Sequence, residues 1–289
     1  MFRSVRRMIL AVTAVLGLVT VPALTATAIT GGDADGDGHP NVGMILFYQE
    51  GGRYRCTATL VAPTILLTAA HCTAGTAGKT IVNFDPVIAE EPPTGVPPAA
   101  DPAAGYTGPV TDAKRRTWYS GTAATHPAYS DFTDLKNWND VGVVVLDEPL
   151  TGITPAKLAP ANYLDRVQRR DLAHTLFTIV GYGTEVRKPE SGPQKPTPES
   201  YPLIRRVADA PGQKLTPQIL QVNGNPNDVR GTGGSCFGDS GGPTFKDGYQ
   251  VTVTSYGYTA NCRYLDGLQR VDIPVVQDWL ASFGVTPAG

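Results

Sequence analysis

SCFGDSGGP, running from Ser235 to Pro243, sets one hydroxyl, that of Ser240, among glycines, with Asp239 directly before it and Cys236 four residues upstream. Glycines at 238, 241 and 242 let the backbone turn where other residues cannot and let a substrate carbonyl come close. Gly, Asp and Ser are also common turn formers, so the run reads either as a surface turn or as the turn that carries a nucleophile. A serine alcohol attacks at neutral pH only with a base in hydrogen-bond reach and with donors that receive the oxyanion as it forms. The rest of the chain has to supply them.

Of the 289 residues, 41% are hydrophobic and only 17% charged, which suits one large domain or two halves sharing a core and excludes a disordered chain. Thirty-two glycines and 25 prolines punctuate the chain often and favour short strands over long helices. The formal charge is −2, and no Lys/Arg block stands out beyond the first residues, which argues against a nucleic-acid footprint.

Residues 1–28 read as a cleaved secretory signal: Arg3, Arg6 and Arg7 form a positive head, Met8 to Val21 is apolar and uncharged, and Ala26-Thr27-Ala28 is a small-x-small cleavage site. The paired arginines leave the twin-arginine route open. The competing reading is an uncleaved anchor, against which the threonines and the cleavage site weigh. Removal of the leader leaves 21 basic against 26 acidic side chains, a net charge of −5. Export also changes the meaning of Cys56, Cys72, Cys236 and Cys262, since an oxidising compartment favours disulfides over thiols or metal ligation. Three pairings are possible, and proximity in sequence favours Cys56 with Cys72 and Cys236 with Cys262. No CxxC spacing supports zinc.

After Ile29-Thr30-Gly31-Gly32 comes an acidic loop in which Asp33, Asp35 and Asp37 resemble half a calcium loop. Met44 stands where such a loop places its glutamate, so a solvated acidic turn is expected. Alternation over 53–70, broken at Pro63, predicts two strands, and His71 follows them directly. Its near-neutral titration suits acid–base work, although a lone histidine is as often structural. Residues 85–115 are proline-rich and read as a long surface loop. Val141 to Leu146 is a β-branched run typical of a buried strand, with Asp140 at its mouth, where an unpaired acid is costly. Asp134 and Asp147 are the competing acids. Further strands are expected at 176–183, 202–208, 218–222 and 249–256, and one helix at 273–283. Strands dominate from 44 to 271, an all-β pattern.

TAAHC at 68–72, NDVGVVVL at 139–146 and GDSGGP at 238–243 give the order His, Asp, Ser, and together they resemble the chymotrypsin-like (trypsin-like) serine peptidases over nearly all of 29–289. HPAY at 126–129, GYG at 181–183 and SYG at 255–257 resemble further family motifs. The resemblance implies two six-stranded antiparallel barrels with a C-terminal helix and the site between them. It implies His71 as base, Asp140 as its orienting acid, Ser240 as nucleophile, and the N–H groups of Gly238 and Ser240 as oxyanion hole. Ser255 matches the serine that hydrogen-bonds the acid; Tyr256 and Gly257 match residues that pair with substrate backbone. Ile29 matches the new amino terminus whose ammonium pairs with Asp239. The implied protein is a secreted monomeric endopeptidase acting on proteins or peptides, without cofactor or metal, and away from membranes once its leader is gone. An inactive homologue serving as a binding module, or an esterase with the same triad, are the alternatives.

The primary pocket is harder to read. The position six residues before the nucleophile is Gly234, followed by Ser235, so the acid that selects Arg or Lys in trypsin is absent there. A second pocket position falls on Gly267 or on Asp266, depending on how the segment is aligned. An uncharged pocket for apolar or small side chains is expected, unless Asp266 points inward.

Because Ala26-Thr27-Ala28 abuts Ile29, signal peptidase itself would release the activating terminus. N-terminal sequencing of the secreted, active protein is expected to begin at Ile29, and a start upstream of Ile29 in fully active material rules the idea out. Activity of that form is expected to fall at alkaline pH as the terminal amine, with a reference pKa of about 8 raised by its acidic partner, loses its proton.

Overall fold

In the computed structural model, residues 29–88, 94–134, 136–184, 203–230 and 232–289 are described. The proposed leader and residues 187–200, proline-rich and polar in sequence, lie outside them. The described strands are β1 (Asp33–Ala34), β2 (Val42–Gln49), β3 (Gly52–Ala62), β4 (Ile65–Thr68) and β5 (Ala77–Asn83). They continue with β6 (Val110–Thr111), β7 (Thr117–Thr125), β8 (Gly142–Leu146), β9 (Lys157–Leu158) and β10 (Leu176–Gly181). β11 (Arg206–Leu215), β12 (Ile219–Asn223), β13 (Pro243–Lys246), β14 (Tyr249–Gly257), β15 (Leu265–Arg270) and helix α1 (Pro274–Ala281) complete the fold.

Two closed six-stranded antiparallel barrels result. The first runs β5-β2-β3-β4-β8-β7 and closes through the pairing of Ile81 with Ser120. The second runs β11-β10-β13-β14-β15-β12 and closes through Leu215 with Leu220. β2 shows why a continuous apolar strand is needed between them. Ile45 and Phe47 face the first-barrel core with Cys56 and Leu66, while the alternate residues Met44, Leu46 and Tyr48 face a second cluster with Trp118, Val180 and Tyr182. That second cluster holds residues of both barrels and forms part of the seam. Each large side chain removed from water in this way contributes roughly 1.5–3 kcal/mol.

The chain ends cross over. β1 pairs with β11 of the second barrel, and Ile29 lies in that barrel's core. Conversely Val276 and Leu280 of α1 pack with Val61, Ile65, Leu67 and Val143 of the first barrel. Proline at the first turn starts this helix without losing a needed N–H donor.

Three expectations change. The strand looked for at 202–208 lies at Arg206–Leu215: Pro211-Gly212 resembles a turn but sits inside the strand, next to a register shift between Gly212 and Lys214 where β11 leaves β10 for β12. The loop at 85–115 is not all surface, since Ile88 and Tyr106 are buried and the Tyr106 hydroxyl donates to Pro97 O at 2.7 Å. The acidic turn is not fully solvated. The Asp35 side chain is buried, accepting from Arg205 Nε at 2.8 Å and from His39 N at 2.9 Å, and Arg205 also donates to Val42 O and Phe84 O. Burial alone would push the Asp35 carboxyl up, but His39 and Arg205 together hold it below the usual carboxylate range.

Removing one partner of a buried pair strands the other. Arg205→Ala is expected to destabilise the fold by about 3 kcal/mol or more in urea denaturation. Because the Asp35 pKa is depressed, its contribution is present above the unfolded carboxylate pKa and is lost as pH falls through the lower folded value. The wild type should therefore lose more stability on acidification than the variant.

Candidate active site

β4 ends at Thr68, and a single 3-10 turn at Ala70–Cys72 carries His71. Asp140 lies just before β8, which pairs with β4, so the two side chains come from adjacent strands. The close approach needs a glycine at 142, where a Cβ would stand 2.5 Å from Thr73 Oγ1 and 2.8 Å from Ala69 O. His71 N donates to Asp140 Oδ1 at 2.9 Å, and His71 Nδ1 lies 2.8 Å from Asp140 Oδ2. Ser255 Oγ donates to the same Oδ2 at 2.5 Å. Asp140 is fully buried, and these hydrogen bonds compensate its lost hydration. An ionised carboxylate only accepts, so the imidazole proton sits on Nδ1 and Nε2 is left as a base.

Ser255 reaches Asp140 because of a bulge. The β14–β15 register shifts between Thr254 and Tyr256, and Ser255 is the unpaired residue. Ser240 is presented by a turn clamped to the first barrel: Thr57 N donates to Ser240 O at 2.8 Å, and Thr57 Oγ1 to Gly238 O at 2.9 Å. Gly241 has φ +76°, and a Cβ on it would stand 2.0 Å from Thr68 Oγ1 and 2.8 Å from Ala69 N. The residue after Ser240 therefore touches the segment that leads into His71. Gly238 has φ +99°, and among the described residues the N–H groups of Gly238 and Ser240 are not taken up by another group. Disulfides Cys56–Cys72 and Cys236–Cys262 tie down the His71 and Ser240 turns respectively, the pairing favoured by sequence proximity.

Of the competing acids, Asp134 is bonded to Asn137 and Lys136 within its own exposed loop, and Asp147 to Lys79 and Ser120. Neither approaches His71. Cys56, His71 and Cys72 cluster, but both sulfurs are spent in the disulfide.

A cavity of about 350 Å³ opens beside Ser240, lined by residues that include Ser235, Phe237, Ser255, Tyr256, Gly257 and Tyr258. Gly234 and Gly267 are not on its wall. Gly267 lies under the Tyr256 ring, whose atoms occupy the space of a Cβ at 267, and Gly234 packs on Gly224 and the Asp266 carboxylate. Asp266 is not on the wall either but lies behind it: its Oδ2 accepts from Ser235 N at 2.7 Å, and Oδ1 lies 3.7 Å from the position of a Cβ on Gly257. Burial pushes Asp266 up to about 7, with Asp239 adding repulsion.

Asp239 is fully buried below Ser240 and accepts from Gly183 N at 2.7 Å and Cys236 N at 2.8 Å. Burial pushes it, too, up to about 7, against the pull of those donors and of Arg55. The segment bearing Ile29 pairs with the stretch just before it: Gly234 N donates to Thr30 O at 3.0 Å. Ile29 is fully buried at φ +48°, a strained angle for a β-branched residue.

Several residues at the site have no sequence motif that marks them. Asn139 N donates to Gln218 Oε1 at 2.8 Å, Gln218 Nε2 returns to Asn139 Oδ1 at 3.1 Å, and Asp140 N donates to Gln269 Oε1 at 3.1 Å. Trp138 packs between Phe132 and Tyr256, with ring centroids 5.1 Å away on each side. The adjacency of Trp138 to Asn139-Asp140 was the one available signal.

Comparison with known proteins gives the family and the fold. The family model described as Trypsin matches residues 29–280. Brachyurin of Leptuca pugilator is 27% identical over 242 residues, 81% of this chain and 90% of that protein. Trypsin of Saccharopolyspora erythraea is 29% identical over 234 residues, 79% of this chain and 86% of that protein. Among solved structures, HL collagenase aligns with TM-score 0.61 at 16% identity, over 89% of this chain and 98% of its own. Human heparin binding protein aligns with TM-score 0.56 at 18% identity, over 90% and 100%. The two barrels, the pairing of His71 with the buried Asp140 and the match over 29–280 have one reading: the chain belongs to the trypsin family of chymotrypsin-like serine proteases.

Proposed function

We propose that the chain is an exported serine endopeptidase, with 29–289 as its working unit and 1–28 as a leader. The observation that carries this reading is the buried Asp140, bonded to the backbone N and the Nδ1 of His71 and to Ser255, beside a cavity that Ser240 lines. Ser240 Oγ attacks the peptide carbonyl and its proton passes to His71 Nε2, while Asp140 stabilises the imidazolium. The oxyanion is received by the N–H groups of Gly238 and Ser240. Collapse breaks the C–N bond, His71 returns its proton to the leaving amine, and water hydrolyses the acyl-enzyme by the same route. No helix among the described residues is long and apolar enough to cross a membrane, which is compatible with release after leader cleavage.

Activation fits the same reading. Asp239 is a buried acid that burial drives toward neutrality, and an ammonium at Ile29 would keep it charged. A terminal residue has no φ to strain, so cleavage before Ile29 also removes the cost of its present angle.

An organophosphorus fluoride is expected to label Ser240 of the mature protein, with casein cleaved and kcat reduced about 10⁴-fold by Asp140→Asn. Unlabelled Ser240 in folded protein would favour the binding module, and labelling with ester but no casein hydrolysis would favour the esterase.

A second reading of the pocket rests on Asp266, whose carboxylate lies directly behind the wall at Ser235 and Gly257: once ionised, it would favour Arg or Lys over the apolar or small side chains expected of an uncharged pocket. The ratio of kcat/KM for an Arg substrate over a Leu substrate is expected to rise as pH increases through about 7, the range in which Asp266 ionises. Asp266→Asn should lower that ratio more than about 10-fold and flatten its pH dependence, since it removes a full charge from a desolvated site. A pH-independent ratio, equal in both proteins, rules out this role.

A further inference from the structure

Trp138 stands two residues before Asp140 and is almost fully buried. Its Nε1 donates to Ser255 Oγ at 2.9 Å, and the same oxygen donates to Asp140 Oδ2 at 2.5 Å. An indole N–H can only donate, so the Ser255 oxygen has to accept from it; an ionised carboxylate can only accept, so the Ser255 hydrogen has to point at Asp140. A hydroxyl otherwise free to rotate thus has one orientation. The geometry points to Trp138 as a positioning residue for the proposed peptidase reaction, fixing the Ser255 proton on Asp140 and thereby setting how strongly Asp140 holds the His71 proton.

The chain of bonds runs Trp138 N–H to Ser255 O–H to Asp140 and meets the bond from His71 Nδ1 on the same oxygen, Oδ2. Charge withdrawn from that oxygen by a polarised, correctly aimed hydroxyl is charge not available to the imidazolium. Removal of the indole N–H frees the hydroxyl to turn away and leaves Asp140 a stronger partner for protonated His71. The His71 pKa then rises, and Nε2 takes the Ser240 proton with less of the imidazole in its basic form at a given pH.

The other groups around this cluster do not mimic the effect. Tyr129 is kept protonated, its hydroxyl pushed up by burial and by the Asp140 charge, and it donates to Asp131 Oδ1 at 3.2 Å. Asp239 lies below the Ser240 turn. All are unchanged when only the indole nitrogen is removed.

This inference rests on the triad proposed above, and its test does not need peptidase activity. In a Ser240→Ala background, the His71 imidazole is titrated by NMR with and without Trp138→Phe, which keeps an aromatic ring between Phe132 and Tyr256. Trp138→Phe is expected to raise the His71 pKa by about 0.5 unit, the scale of one neutral hydrogen bond. In a Ser255→Ala background the same substitution should produce no further shift. An unchanged titration, or a shift of full size without the Ser255 hydroxyl, overturns the proposal and leaves Trp138 a packing residue. In the active enzyme the expected companion is a fall in kcat of about two- to three-fold at pH 6–7, the most a shift of about 0.5 unit gives, with KM for short substrates unchanged. Should Trp138→Phe fail to fold, the otherwise wild-type Ser240→Ala protein decides: the Trp138 indole proton should be protected from exchange and shift in step with the His71 titration, and a freely exchanging indole proton that ignores it overturns the assignment.

Discussion

A buried carboxylate between two barrels is the constraint around which this molecule is built. Asp140 belongs to the first barrel, yet its main chain and that of Asn139 are held by Gln269 and Gln218 of the second, and its side chain is shared between His71 and Ser255. Left unpaired, such a charge would cost several kcal/mol. The hydrogen bonds that offset this cost can form only when both barrels are docked, so the reactive arrangement and the seam are one structure. Asn139 is held at φ +47° in the process, a local strain that the paired glutamine amide maintains.

The strand-rich fold and the residues with dedicated motifs were legible because their local chemistry is distinctive: glycines about Ser240, a β-branched run behind Asp140, cysteines close in sequence. The partners of Asp140 were not. Gln218, Gln269 and Trp138 carry no periodic or turn signal, and they matter only because the topology brings chain segments far apart in sequence to one seam. The pocket base was ambiguous for a related reason. Near Gly267 a bulge at Ser255 shifts the β14–β15 register, so counting along the segment does not say which side chain faces inward. In the same way, Asp35 has the composition of a solvated turn and the environment of a core ion pair, because Arg205, its partner, is 170 positions away.

Two further acids, Asp239 and Asp266, lie buried on the second-barrel side and are both driven up to about 7, chiefly by burial. An acid whose folded pKa is raised stabilises the fold fully below its unfolded pKa and loses that contribution as pH rises through the folded value. In the proposed reading, a terminal ammonium beside Asp239 and a basic substrate side chain beside Asp266 would supply the cations that let both be ionised together. The charges that equip the site are thus the ones the isolated fold tolerates least.

The exchange of chain ends between barrels has a consequence for the order of assembly. The first barrel is continuous in sequence and can close while the chain is still being made, whereas Ile29 and β1 dock on the second and wait for strands from residue 176 onward. Residues 29–34 are therefore among the last to find their places, and the α1 helix that clasps the first barrel arrives later still. Assembly of this protein closes at both ends of the chain at once, after everything between them has already been made.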